Sequence, residues 1–479
     1  MNTKYHKLMT VACVLWTSLS WNRVNADDKT FANEVATAMK KAGTFYRERV
    51  AANGGYVYFY SLDLKQRWGE GLAAPDQIWV QPPGTPTVGM AYLKAYQATG
   101  DKYYLDAARE AAEALAYGQL RSGGWSNSID LKGRRLGQRF SGGSRRRDGT
   151  TSLDDGQTQS AIQLVVLVDA ALEFKNTEIH QSAVTAIDAL LTAQFANGGF
   201  PQGWKAAVSK QPVLKASYPE YDWRTEGRIK NYWDMYTLND NVCGYVADTL
   251  ITAHRVYKDD KYKAALARLG DFLILAQMPD PQPAWAQQYN YEMKPIWARK
   301  FEPAAIAGDE SQEVIETLMK ISAATGDRKY LEPIPRALAY LKRSLLSDGR
   351  LARYYELKTN KPLYMTRRGK NYTPTYDDAK LPKHYKWKVA SRFNEIERQY
   401  KQAQRRQSES PTRTSATADL ETRVRHVIDD LDDQGRWISS YAGERLVGQP
   451  KFRKGERYIS SEVFSRNIEL LGEYLMVTN

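Results

Sequence analysis

Four short polar segments concentrate the side chains with chemical potential. Ser152-Leu153-Asp154-Asp155-Gly156-Gln157-Thr158 and Tyr236-Thr237-Leu238-Asn239-Asp240-Asn241 each set acidic and amide groups directly before an apolar helical pattern. Asn197-Gly198-Gly199-Phe200-Pro201-Gln202-Gly203-Trp204 carries glycines that permit tight turns beside a ligand. Pro295-Ile296-Trp297-Ala298-Arg299-Lys300-Phe301-Glu302 offers two adjacent cations. Taken singly, the acidic segments read equally well as helix caps, the third as an ordinary turn and the fourth as a solvated basic loop. Taken together, paired carboxylates with no Cys or His beside them suit a hard cation such as calcium better than zinc. A uronic-acid polymer, which bears a carboxylate on every sugar, would complete such a site. A cation on that carboxylate makes the adjacent C5 proton more acidic, a base removes it, and the C4 oxygen leaves by β-elimination. The route needs no covalent nucleophile, in keeping with the absence of a triad signature.

These loops need elements that return them to one place. Ala98-Thr99-Gly100-Asp101-Lys102-Tyr103-Tyr104-Leu105 recurs as Ala324-Thr325-Gly326-Asp327-Arg328-Lys329-Tyr330-Leu331, with looser copies at Phe174–Thr177 and Tyr257–Asp260. Apolar residues before and after the first copy fall on single helical faces, Val88, Ala91, Tyr92, Ala95 and Tyr96, then Leu105, Ala108, Ala112 and Leu115. Each unit therefore reads as helix, short turn, helix. Glycine-aromatic loops such as Gly123-Gly124-Trp125 follow several of them. Helical hairpins must bury their apolar faces against neighbours. The expected architecture is all-α, an (α/α) toroid or incomplete barrel with long loops and a few short strands. An open solenoid is the second choice.

The chain of 479 residues is 42% hydrophobic and 26% charged, which excludes wholesale disorder and a small disulfide scaffold. Its net charge of +13, with 31 Tyr and 12 Trp, points to an anionic partner with flat apolar faces. Lys4 and Lys7, the apolar run Leu8 to Leu19 and Val24-Asn25-Ala26 form the pattern of a secretory signal peptide over residues 1–26. Export makes nucleic acid the poorer anion, and no segment is long and apolar enough to span a membrane. The protein is thus expected to be secreted or periplasmic, and a monomer. Cys13 would leave with the signal, so Cys243 has no internal disulfide partner. Residues 27–400 read as the toroid, 401–418 as a flexible low-complexity insertion, and 419–479 as helices that close the ring. Gly133 to Arg147, with its run of arginines, reads as an exposed basic loop. Tyr56, Tyr58, Tyr60 and Trp79 read as core in preference to sugar-stacking faces.

The four segments, in order, resemble the pectate lyases of polysaccharide lyase family 10, (α/α) toroids that cleave polygalacturonate with calcium. Leu153-Asp154-Asp155-Gly156-Gln157-Thr158 is similar to the family's I-D-N-G-A-T, Asn197 to Gln202 to its N-G-G-W-P-Q, Leu238 to Asn241 to F-N-D-N, and Ala298 to Glu302 to A-R-x-Y-E. A fifth likeness runs from Asn360 to Arg367 and on to Tyr385 and Trp387. The resemblance implies calcium ligands at Asp154 and Asp240, with Asp155 adding charge, and a general base at Arg299. It implies that Arg367 pairs with a substrate carboxylate, with Lys383, Lys300, Asn239, Tyr236 and Gln202 as further substrate contacts. A guanidinium is a poor base by its ordinary pKa, and Lys300 is the chemically easier alternative.

Departures bear on the substrate. The family's G-R-D is Thr366-Arg367-Arg368 here, its E-R-R is Leu381-Pro382-Lys383, and the stretch between Asp154 and Asp240 is longer than usual, with Tyr218 to Trp233 unusually aromatic. Two other readings remain open at this level: an inverting glycosidase using Asp154 and Asp240 as acid and base, and an acidic-polysaccharide-binding protein without turnover.

Overall fold

The computed structural model describes residues 26–132, 148–224, 228–405, 416–446, 448 and 450–478. The expected signal segment before Ala26, the basic loop 133–147 and the centre of the 401–418 insertion lie outside the described residues. Twelve helices are found among those residues: α1 (Ala26–Phe45), α2 (Thr85–Thr99), α3 (Lys102–Gly118), α4 (Gln157–Ala171), α5 (Thr177–Thr192), α6 (Val242–Tyr257), α7 (Asp260–Leu275), α8 (Gly308–Thr325), α9 (Ile334–Arg343), α10 (Phe393–Arg405), α11 (Ala416–Asp429) and α12 (Ser461–Thr478). None is long and apolar enough to cross a membrane.

The repeated sequence is a joint between helices. Gly100 takes the left-handed conformation (φ 69°) that ends α2, and the Asp101 side chain accepts from Tyr103 N–H to start α3. Gly326 (φ 81°) and Asp327 repeat the device after α8, and Asn176 and Asp259 cap α5 and α7 in the looser copies. A glycine that tolerates positive φ followed at once by a capping carboxylate reverses the chain in two residues, so the helices pair antiparallel.

The pairs pack into an arc. The series α12, α2, α4, α6 and α8 makes the inner layer, each helix lying against the next, while α3, α5 and α7 pack outside their partners. The inner α4 is apolar almost all round, as a helix enclosed by neighbours must be, with Ile162, Leu164, Val165, Val166 and Val168 fully buried. The ends of the series, α8 and α12, do not pack extensively on each other among the described residues, so the fold is an incomplete (α/α) toroid. The C-terminal segment joins the N-terminal part through Arg457–Ser460, which pairs antiparallel with Phe59–Ser61, and through α12, which packs on α1 and α2.

Residues 401–405 end α10 and 416–418 open α11, at the two edges of the segment read in sequence as a 401–418 insertion. Side-chain pairs at helical spacing, Glu395 with Arg398 and with Gln399, hold the exposed face of α10. Tyr56, Tyr58, Tyr60 and Trp79 are buried, as expected of core residues.

Because joints within pairs sit at one end of the arc, the long connections between pairs sit at the other. That end carries the N-termini of α2, α4, α6 and α8, where exposed N–H groups and helix dipoles favour negative charge. It also carries all four polar segments.

Candidate active site

Two copies of one turn begin the site. Thr151–Ser152 pairs with Gly203–Trp204, and Leu153 N–H then donates to Gln202 O at 2.8 Å. In parallel fashion Tyr236–Thr237 pairs with Gln288–Tyr289, and Leu238 N–H donates to Gln287 O at 2.8 Å. After each leucine comes a single 3₁₀ turn. Asp155 (φ 48°, ψ 30°) and Gly156 (φ 72°) are left-handed in the first, and Asp240 (φ 50°, ψ 38°) and Asn241 (φ 54°) in the second. Asp, Asn and Gly are the residues that bear this conformation at least cost.

The turns meet across a guanidinium. Arg299 Nη2 lies 2.9 Å from Asp154 Oδ1 and 3.1 Å from Asp240 Oδ2, and each of the three side chains is about a quarter exposed. Gln202 Nε2 donates to Asp154 Oδ1 at 2.7 Å, Asn239 Nδ2 to Asp240 Oδ2 at 2.6 Å, and Gln81 Nε2 to Asp155 Oδ2 at 3.0 Å. Burial against the charged form, reinforced by Asp154, pushes Asp155 up to about 6 despite Arg299. Burial likewise raises Asp240, with Arg299 opposing and the neighbouring carboxylates assisting. Burial works to discharge Arg299, but Glu302, Asp154 and Asp240 outweigh it and hold the guanidinium strongly charged.

Glu302 fixes Arg299 from behind. It is 2% exposed, its Oε2 accepts from Arg299 N–H at 3.3 Å, and Arg299 Nε stands 3.5 Å from the same oxygen. Burial, offset by Arg299 and Arg353, raises its carboxyl to about 7. Further back, Gln287 Nε2 reaches Asn239 Oδ1 (3.0 Å), Glu310 Oε1 (2.6 Å) and Tyr385 Oη (3.2 Å), and Arg353 pairs with Glu310. A buried polar network of this kind keeps its members in one geometry.

The other sequence-assigned residues divide. Gln202 and Asn239 are buried supports of the two aspartates rather than exposed sugar contacts. Tyr236, read in sequence as a substrate contact, is fully buried, its ring edge-on to Phe195 (4.8 Å) and Tyr291 (5.8 Å). Lys300 points away from the carboxylates, its Nζ donating to Lys370 O at 3.2 Å, whereas Arg299 lies among them. Arg367 is exposed near the tip of the hairpin formed by Pro362–Arg368 and Asn371–Thr375, 5.6 Å above the Tyr372 ring. Tyr372 packs on Phe301, which ties that hairpin to the Arg299 segment. Lys383 is exposed beside His384 and joins no contact with the carboxylate cluster. Sequence reading assigned no role to Glu302, Gln81 or Gln287. Glu302 stood inside a recognised motif, three residues after Arg299, while Gln81 sits in a segment whose sequence carried no chemical signal.

Among the described residues no three His, Cys, Asp or Glu side chains converge as a ready-made metal cluster, since Arg299 stands between Asp154 and Asp240. The donor set itself is hard: carboxylate oxygens, plus the buried Gln202 Oε1, which has no hydrogen-bond partner. That composition fits calcium or a similar cation and not a thiophilic metal.

Comparison with known proteins gives a match over the central part of the chain. Residues 119–351 match the family described as pectic acid lyase, a span that takes in Asp154, Asp240, Arg299 and Glu302 and ends before Arg367. Among solved structures, a mutant of the family 10 polysaccharide lyase from Cellvibrio cellulosa, in complex with trigalacturonic acid, is 18% identical, covers 67% of this chain and 97% of its own, and has a TM-score of 0.47. A D-mannose isomerase is 14% identical over 94% of this chain and 98% of its own, with a TM-score of 0.44. An alpha-mannanase from Bacteroides thetaiotaomicron is 10% identical over 94% and 95%, with a TM-score of 0.43. No curated protein matches.

Proposed function

We propose that this chain, a polysaccharide lyase recognised by its pectic acid lyase region over residues 119–351, is an exported, calcium-dependent enzyme that cleaves polygalacturonate by β-elimination. The observation that carries the reading is Arg299 held on Asp154 and Asp240 at the shared rim of the arc. Asp154 and Asp240, with Asp155 beside them, would hold the cation. Calcium, when bound, supplies positive charge to a uronate carboxylate and so acidifies the C5 proton.

Arg299 then has a physical route to basicity. Its charge depends on Glu302, Asp154 and Asp240, against burial that favours the neutral form. When the two aspartates are engaged elsewhere, Arg299 keeps Glu302 and the weaker influence of Tyr232, and burial regains influence. Neutral Arg299 takes the C5 proton, the C4–C5 double bond forms, and the C4–O bond breaks with its electron pair leaving on oxygen. That oxygen takes a proton from water. Glu302 keeps the guanidinium oriented throughout, and Arg367 and Lys383 present positive charge to neighbouring carboxylates of the polymer. The basic Met1–Ala26 segment with its apolar run supports export.

The test is ultraviolet absorbance of unsaturated chain ends on polygalacturonate, with calcium and then with a chelator. The expected result is a calcium-dependent rise that Arg299→Ala abolishes. Saturated reducing ends formed without metal would overturn the reading in favour of hydrolysis.

A further inference from the structure

The stretch Tyr218 to Trp233 has no part in the chemistry described above, yet its end is fastened to the segment that carries Arg299. Trp233 is 49% exposed, and its ring stacks on Tyr232 with centroids 4.8 Å apart and planes at 22°. Tyr232 is itself buried, in a small apolar cluster separate from the main core that includes Ile296 and Ala298, with Ile229 and Met235 packed against it. Ile296 and Ala298 lie just before Arg299 in the chain. Ile229 N–H donates to Trp297 O at 3.0 Å, and Arg228 bridges Trp297 in parallel register. Arg299 also acts on the Tyr232 hydroxyl, lowering a pKa that burial raises.

The arrangement is economical only if the outer face of Trp233 is used. Half-exposing an indole gives up burial that a folded chain ordinarily takes, and the Tyr232 stack fixes the ring's plane rather than hiding it. Sugar rings present flat C–H faces, which pack against the electron-rich face of an indole. Arg228 and Lys230, both exposed and close to Trp233 in the chain, supply charge that a neutral sugar would not need.

We propose that Trp233 is a stacking platform for one uronate ring of the substrate, an accessory subsite beside the scission point, with Arg228 and Lys230 drawing the carboxylates of adjacent units. The proposal rests on the uronan-cleaving reading and names a further contact for that substrate.

The experiment uses Trp233→Ala and Trp233→Phe in the full chain, assayed on polygalacturonate and on trigalacturonate. The expected result for Trp233→Ala is a KM on polymer raised about 3- to 10-fold, with kcat unchanged and a smaller effect on the trimer; Trp233→Phe restores most of the loss. Titration calorimetry with hexagalacturonate in chelator reads binding without turnover and should show the same weakening. Equal affinity of wild type and Trp233→Ala for hexagalacturonate overturns the subsite, as does an identical loss on polymer and trimer. Absence of any absorbance rise with wild type overturns the lyase reading instead, and the calorimetric comparison still decides the subsite.

Discussion

Asp155 and Asp240 occupy the same step of two equivalent turns, each left-handed, each two residues after a leucine whose N–H is held by a glutamine carbonyl. By that equivalence Asp154 corresponds to Asn239. The rim thus holds two related turns, the first of which carries one more carboxylate than the second.

Asparagine tolerates the left-handed conformation as well as aspartate does, so Asp240→Asn and Asp155→Asn remove charge with little backbone cost. Asp240→Asn should lower calcium affinity and activity by about 100-fold, a loss of the size seen when a developing charge loses its stabilising group. Asp155→Asn, one step removed from Arg299, should weaken calcium by about 10-fold or less on the same scale. Calcium titrations of activity, with circular dichroism as a check on folding, read both.

Arg299→Ala should separate two properties that ordinarily move together. The guanidinium and a cation compete for Asp154 and Asp240, so its removal should tighten calcium by about 10-fold, worth about 1.4 kcal/mol, while turnover falls by about 1,000-fold. Calorimetric calcium binding and the absorbance assay give the two signs. Weaker calcium binding in this variant would contradict the competition.

Glu302→Gln keeps shape and hydrogen bonding to Arg299 N–H but removes the rear charge. Turnover should fall by about 10- to 100-fold with KM little changed, because Glu302 is buried behind Arg299 and out of the substrate's reach. A matched rise in KM would mean that Glu302 meets substrate directly.

Glu313 on α8 is mostly buried and its Oε2 has no hydrogen-bond partner. Burial, with Glu310 and Asp309 adding repulsion, raises its carboxyl from the ordinary 4.5 to about 8. The folded state therefore binds this proton more tightly than the unfolded chain. Its contribution to stability is complete below pH about 4.5 and is lost as pH rises through about 8. Glu313→Gln should flatten that decline and raise Tm at pH 9 by on the order of 1–3 °C, measured by thermal melts across the range.

Legibility followed the range of the forces involved. The helix joints were readable because each is a local event: Gly100 and Asp101 act within a few residues of themselves, and so do Gly326 and Asp327. The two acidic turns were readable by type, since few residues suit their backbone. Pairing across the arc was not. Nothing local shows that Arg299 would lie between Asp154 and Asp240 while its neighbour Lys300 turns to Lys370, because that depends on which face of the segment packs inward. Gln81 escaped notice for the same reason, reaching Asp155 from a distant connection. A tyrosine beside an acidic turn looks the same in sequence whether its ring points to solvent or into an aromatic core, and the structure buries Tyr236 in such a core.

The two-residue joints also shape how such a chain can change over time. Reversal at Gly100-Asp101 or Gly326-Asp327 leaves no slack, so a length change there would shift a whole helix against its neighbours. At the opposite rim a connection can gain or lose residues without disturbing helix register. One rim is thereby committed to architecture, and the other is left open to innovation in what the molecule grips.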